Sequence, residues 1–269
     1  MKAHINGISL SYGDSGSGPA VVLLHGFPLT RDMWRPQEAA LTQAGFRLIT
    51  PDLRGFGESE VPDGPYSMSL FSDDVVALLD HLEIDRAVIG GMSMGGYILL
   101  NLLERYPERV VAACFITTRS SSDSETAKAG RLALLERMKK DGTGSMAELS
   151  IATLLAGETL RRNPELVNTV YRWMTSVDLR GIEGALYALL ERKDYSSLLG
   201  NFDLPSLVIG ADQDSAVPSE DLRVLSEGLL NSELCVIPDA GHMANLEQPE
   251  TFNQCLLRFL RRVCSRNVS

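Results

Sequence analysis

Apolar residues along this chain fall into two alternating patterns. Six short runs carry no polar alternation: AVVLLHG (20–26), FRLITPD (46–52), RAVIGG (86–91), VVAACFIT (110–117), PSLVIGA (205–211) and ELCVIPDA (233–240). Continuous runs of this length are expected of strands buried on both faces of a parallel sheet. Between them the apolar positions take helical spacing. Phe71, Val75, Leu78, Leu79 and Leu82 share one helix face, and Phe252, Leu256, Phe259, Leu260 and Val263 repeat the spacing after Pro249, placed where a helix can begin. Strands alternating with core-facing helices predict an α/β fold, a mostly parallel sheet flanked by helices. Near the start, Asn6-Gly7 is a two-residue hairpin signal, so the sheet is expected to open with an antiparallel edge.

The alternation fails from about Arg119 to Leu199. That stretch holds polar connections and helical patterns, among them Leu166, Val170, Trp173, Met174 and Ile182, Leu186, Leu189, Leu190, with no convincing strand. It is too long for a simple crossover. We read it as an inserted helical cap, residues 119–199, between two parts of one core, 1–118 and 200–269. Helices packed permanently on the core, with no gating role, are the alternative.

Length and composition narrow the class. A chain of 269 residues, 44% hydrophobic and 22% charged, can bury one large core with a smaller lid. Its net charge of −10 disfavours nucleic acid or an anionic membrane as partner and mainly favours solubility. The N-terminal stretch MKAHINGISLSYGDSG has no apolar run resembling a signal peptide, and no later segment approaches a membrane span, so a cytoplasmic location is expected. The four cysteines, Cys114, Cys235, Cys255 and Cys264, lack the spacing of a zinc site or of a disulfide framework. They are expected to be buried free thiols.

The candidate chemistry begins at GGMSMGGYILL (90–100), where glycines surround a lone hydroxyl, Ser93. Gly91-Met92-Ser93-Met94-Gly95 has the form GxSxG and lies between a buried strand and an apolar helix, the context that motif needs. A nucleophile on so sharp a turn crowds the residues two before and two after it, which accounts for Gly91 and Gly95. Gly96 would let the helix start close to the sheet. Ser93 then stands over the positive end of the helix, and the Met94 amide faces the place where an oxyanion would form. A second donor is expected from the loop in LLHGFP (23–28), with the Phe27 amide as the candidate.

A serine hydroxyl needs a base, and the base needs an orienting acid. Of His4, His25, His81 and His242, only His242 falls in a loop directly after the last buried strand, where ligand sites form in such sheets. His25 is read as structural. The acid is sought in the preceding loop, SLVIGADQDSAVP, where Asp214 is preferred because it stands four residues before Pro218, and Asp212 is the alternative. The order serine, acid, histidine is that of one triad arrangement.

At these residues the chain resembles the α/β-hydrolase superfamily over nearly its whole length. The matching pieces are HGFP (25–28), DLRGFGES (52–59), GMSMGG (91–96), GADQDSAVP (210–218) and AGHMANLEQPE (240–250). The resemblance implies Ser93 as nucleophile, His242 as base, Asp214 as acid and the Phe27 and Met94 amides as oxyanion hole. It gives Arg54, in the structural loop DLRGFGES, no chemical role. Within the superfamily the motifs are similar to those of small carboxylesterases and 3-oxoadipate enol-lactonase-like hydrolases. The expected activity is cleavage of a small carboxylic ester or lactone through an acyl-enzyme, with no metal or organic cofactor. Carbon–carbon bond hydrolysis or perhydrolysis on the same triad, and a non-turnover small-molecule receptor, are the alternatives. Trp34, Met92, Trp173, Met174 and Tyr187, with Phe27 and Met94, are the candidate pocket residues. Whether Arg31 or Arg119 points inward, and the oligomeric state, are left open.

Overall fold

Asn6 and Gly7 both take positive φ, 46° and 80°, so the chain turns back on itself within two residues. That turn pairs β1 (Lys2–Ile5) antiparallel with β2 (Ile8–Gly16), as the dipeptide predicts. In the computed structural model, which describes residues 1–265, six further strands follow. They are β3 (Ala20–Leu24), β4 (Arg47–Pro51), β5 (Ala87–Met92), β6 (Val110–Ile116), β7 (Ser206–Ala211) and β8 (Ser232–Ile237). Each overlaps one of the six apolar runs. The sheet order is β1-β2-β4-β3-β5-β6-β7-β8, antiparallel through β2 and β4 and parallel from β4 onward.

This order contains a switch point. From β3 the chain first builds outward to β4 and then crosses back to place β5 on the other side of β3. Crevices for ligands open at the carboxyl ends of strands on either side of such a reversal. Here those ends are Leu24, which leads into HGFP, and Met92, which leads into Ser93.

Three helices precede or join the central strands: α1 (Arg35–Gln43), α2 (Met68–His81) and α3 (Met94–Arg105). Between β6 and β7 the chain forms five more, α4 (Glu125–Asp141), α5 (Gly144–Leu154), α6 (Gly157–Arg162), α7 (Pro164–Ser176) and α8 (Leu179–Leu190), and no strand. Polar side chains start several of them: Ser124, Asn163 and Asp178 each accept a hydrogen bond from an amide in the first turn. The last part contributes α9 (Ser219–Gly228), the short α10 (Ala244–Glu247) and α11 (Pro249–Ser265). Helix α11 buries Phe252, Leu256, Phe259, Leu260 and Val263, the face its spacing predicts, and packs with α1, while α2 packs with α3. No helix among the described residues is long and apolar enough to cross a membrane.

Two expectations need correction. Strand β8 is not buried on both faces: Leu234 and Val236 are 46% and 49% exposed. The reason is topological, since β8 is the outer strand and pairs only with β7. Nor are all four cysteines free. Cys235 of β8 and Cys255 of α11 form a disulfide with their Cα atoms 6.8 Å apart, while Cys114 and Cys264 remain thiols. The 20 residues that separate the pair in sequence conceal a neighbourhood made by folding α11 back beside the edge strand.

Candidate active site

Ser93 ends β5 and begins α3 with φ 51° and ψ −111°, a conformation an L-residue holds only under constraint. The glycines make the turn sterically feasible. A Cβ at Gly91 would overlap the Gly95 carbonyl, one at Gly95 would stand 2.5 Å from Leu24 O, and one at Gly96 would stand 2.5 Å from the Thr118 side chain. The turn is held from β6. Ser93 N–H donates to Ile116 O at 3.0 Å, and Thr118 Oγ1 donates to Ser93 O at 2.8 Å.

The loop after β3 closes against this turn. A Cβ at Gly26 would lie 2.7 Å from Met92 Sδ and 3.4 Å from Ser93 Cβ, so only a glycine allows the loop to come so close. The next residue is Phe27, half-buried, with its ring edge-on to Phe56 at 6.1 Å. Phe27 and Met94 thus follow two neighbouring strand ends, those of β3 and β5, on either side of the turn.

His25 serves the scaffold. Leu53 N–H donates to its Nε2 at 3.0 Å, which leaves the ring proton on Nδ1 to donate to Gly26 O at 2.9 Å. Burial pushes its pKa down, so the ring stays neutral and ties the β3 loop to DLRGFGES. In that second loop Arg54 is buried and grips Asp74 through two hydrogen bonds of 2.5 and 2.6 Å, with Asn6 adding a third donor to Asp74 at 2.8 Å. Arg31 is turned to Asp52 and Glu58 at 3.3 and 3.2 Å.

His242 lies in the loop after β8, 3% exposed, with Nδ1 2.9 Å from Asp214 Oδ2. The Asp214 side chain is fully buried, and its Oδ1 accepts from the amides of Ala216 and Val217 at 2.8 and 3.0 Å. Asp212 instead is exposed and accepts from Ala240 N–H at 3.4 Å. A carboxylate fixed by two amides and bonded to Nδ1 places the imidazole so that Nε2 is left for exchange of a proton. Thr117 was not singled out by any sequence motif, yet its Oγ1 donates to His242 O at 3.1 Å.

The remaining candidates are scattered. Met92 and Met94 are buried on either side of Ser93. Trp34 lies in the core against Phe252, ring centroids 6.4 Å apart, and borders a small cleft of about 100 Å³ with Arg31 and Thr50. Tyr187 is 38% exposed and lines a different cleft of about 420 Å³ with Asp63, Pro65, Arg180 and Glu183. In α7, Met174 is fully buried and Trp173 half-buried. A cavity of about 820 Å³ is bordered by Arg86, Val110 and Pro205, residues at the amino ends of β5, β6 and β7. It therefore lies at the end of the sheet opposite Ser93 and His242. Among the described residues no cluster of His, Cys, Asp and Glu side chains is arranged to hold a metal ion.

A strained serine between strand and helix, with a histidine and a buried aspartate from later strand ends, on a sheet of this order, defines a class of enzymes. The family model described as alpha/beta hydrolase fold matches residues 19–249, and the chain belongs to that family of hydrolases. Among solved structures it is similar to a thermophilic esterase from Thermogutta terrifontis bound to malate, with 36% identity over 98% of both chains and a TM-score of 0.94. A bromoperoxidase from Bacillus anthracis superposes with a TM-score of 0.86 at 28% identity, over 94% of this chain and 96% of that one. In sequence it is 29% identical to 3-oxoadipate enol-lactonase 2 of Acinetobacter baylyi, over 95% of this chain and 94% of that protein.

Proposed function

We propose that this hydrolase cleaves a small carboxylic ester or lactone through an acyl-enzyme on Ser93. The observation that carries the reading is the pairing of His242 Nδ1 with the buried Asp214 at 2.9 Å, in a fold that strains Ser93 into a positive-φ turn. His242 Nε2 takes the Ser93 proton as Oγ attacks the carbonyl carbon. The tetrahedral oxyanion is met by the Phe27 and Met94 amides, and its collapse expels the alcohol, which receives the proton from His242. Water, deprotonated by the same ring, then attacks the acyl-enzyme; the acid leaves and Ser93 regains its proton. No step calls for a metal or an organic cofactor. In this reading residues 119–199 form the cap over the site and set substrate choice, and the esterase and enol-lactonase relatives support the substrate class.

The test is turnover of a panel of acyl esters, an enol-lactone and a dienoic ketoacid by wild type and Ser93→Ala. Loss of roughly four to six orders of magnitude in kcat, with loss of covalent labelling by a fluorophosphonate, is expected of the variant. Undiminished turnover in Ser93→Ala would defeat the assignment. A second reading rests on the bromoperoxidase neighbour: hydrogen peroxide replaces water as the attacker of the acyl-enzyme and releases a peracid. Peracid formed from acetate and peroxide by wild type, and abolished in Ser93→Ala, would establish it.

A further inference from the structure

The residues on both sides of His242 are tied to the five-helix segment. Before it, Gly241 N–H donates to Glu247 Oε1 at 2.9 Å; after it, Met243 N–H donates at 3.1 Å to the carbonyl of Leu154, the last residue of α5. The other carboxylate oxygen of Glu247, Oε2, accepts from Ala156 N–H at 2.8 Å and from Thr159 Oγ1 at 2.6 Å, where α6 begins. The two backbones also meet directly. A Cβ on Gly241 would stand 2.6 Å from Ala156 N and 2.9 Å from Leu155 C, so only a glycine lets the histidine loop come this close to the α5–α6 junction.

Glu247 acts from a firm footing. It belongs to α10, whose Asn245 is buried, donates from Nδ2 to Met33 O at 2.8 Å and accepts at its carbonyl from Gln37 Nε2 at 3.0 Å. The core thus holds α10, and α10 extends one carboxylate between the histidine loop and the helices. Its three donors are two amides and a hydroxyl. That set suits an ionised carboxylate, which only accepts, whereas a glutamine of the same shape would turn an NH2 group against one of these donors.

We infer that Glu247 is a positioning residue for His242, and that it aligns the base only while the α5–α6 junction is seated. This rests on the serine-hydrolase reading, in which His242 is the base. Asp214 and Thr117 hold the ring and the carbonyl of His242 from the core. Ala156 and Thr159 hold the Glu247 carboxylate in the orientation that receives Gly241 N–H, so displacement of the junction removes that aim together with the Met243 bond. Seating of the helices and alignment of the base are then one event. A shift of the ring too small to disturb contacts with substrate still slows proton transfer.

The deciding experiment measures p-nitrophenyl acetate hydrolysis, thermal stability and the downfield proton resonance of the His242–Asp214 hydrogen bond. In Glu247→Gln, kcat is expected to fall about tenfold with KM within about twofold of wild type, and the resonance to move or broaden. Thr159→Val, which removes one donor from the junction side, should lower kcat about threefold, and that loss should vanish in a Glu247→Ala background, because both changes act through one carboxylate. A lowered Tm in Glu247→Gln with kcat and resonance intact would reduce Glu247 to a structural tie and overturn the proposal. An equal loss from Thr159→Val with and without Glu247 would overturn the coupling to the helices. The resonance is read without substrate: if wild type cleaves no ester yet Glu247→Gln shifts it, the positioning stands and the hydrolase reading falls. Should Glu247→Gln fail to fold, Thr159→Val decides alone, and an unchanged kcat and resonance in that variant would overturn the proposal.

Discussion

Thr117 is a β-branched residue at φ 39°, a conformation that such a side chain adopts at a cost and only when its neighbours impose it. Its amide donates to Ile209 O at 2.7 Å and its hydroxyl to His242 O at 3.1 Å, while the next residue, Thr118, holds Ser93 O. The end of β6 therefore ties the candidate nucleophile and the candidate base to one strand. Thr117→Val preserves shape and removes the donor, leaving the His242 carbonyl unpaired at a cost of about 1–3 kcal/mol. We expect kcat to fall about tenfold with KM unchanged, since a misplaced base slows proton transfer without altering ground-state contacts. Thr117→Ser, which keeps the hydroxyl, should restore kcat; an unchanged kcat in Thr117→Val would show that Asp214 and the backbone alone position the ring. Gly91 illustrates the opposite limit, where the neighbour is backbone. Gly91→Ala would drive a methyl into the Gly95 carbonyl and should cost several kcal/mol, read as a loss of soluble protein or a lowered Tm.

Helix α4 gives the contrasting case. Gly130 lies in its interior with nothing within 4 Å of a would-be Cβ, so Gly130→Ala should raise stability by roughly 0.5–1 kcal/mol in urea unfolding. A destabilised variant would mean that this helix face is covered. Glycines in one chain thus have opposite roles according to the element that holds them, and sequence context anticipates much of this. The hairpin at Asn6-Gly7, the buried runs and the glycines around Ser93 were legible because each is a local rule: backbone sign, burial pattern or steric crowding. Features created by long-range approach were not. Leu234 and Val236 read as buried until the sheet order made β8 an edge, and Cys235 and Cys255 read as free until α11 lay beside that edge. Asp214 was preferred to Asp212 on its distance from Pro218, whereas the turn that aims the Ala216 and Val217 amides at it was not legible. The arginines at 119, 131 and 192 carry no motif at all, because only the fold brings them to Asp123.

For the molecule as a whole, the five-helix segment between β6 and β7 is tied to the core at distant points. Glu247 accepts from Gly241 N–H at 2.9 Å, from Ala156 N–H at 2.8 Å and from Thr159 Oγ1 at 2.6 Å, so the loop that carries His242 leans on the junction of α5 and α6. Gly181 of α8 meets the backbone of Gly55 so closely that no side chain fits between them. A further link is internal to the segment: Asp123 at its entry binds Arg131 of α4 and Arg192 just beyond α8, fastening entry to exit. Burial alone would raise the pKa of this carboxyl, but hydrogen bonds from Arg192 and Arg131 outweigh it and hold the value down to about 2. In the unfolded chain an aspartate titrates near 3.9, so the folded state binds the proton more weakly. The resulting stabilisation is complete above about pH 4 and is lost as pH falls from there through 2. Asp123→Asn should therefore cost roughly 3–5 kcal/mol at pH 7, because it leaves the buried Arg192 and the partly exposed Arg131 without their counter-charge. It should also flatten the decline in unfolding free energy between pH 4 and 2 relative to wild type. Urea titrations of both proteins across that range measure the two effects together. Parallel pH profiles would show that this aspartate does not supply the acid sensitivity, and an unchanged stability at pH 7 would show that the entry and exit of the segment are held together without it.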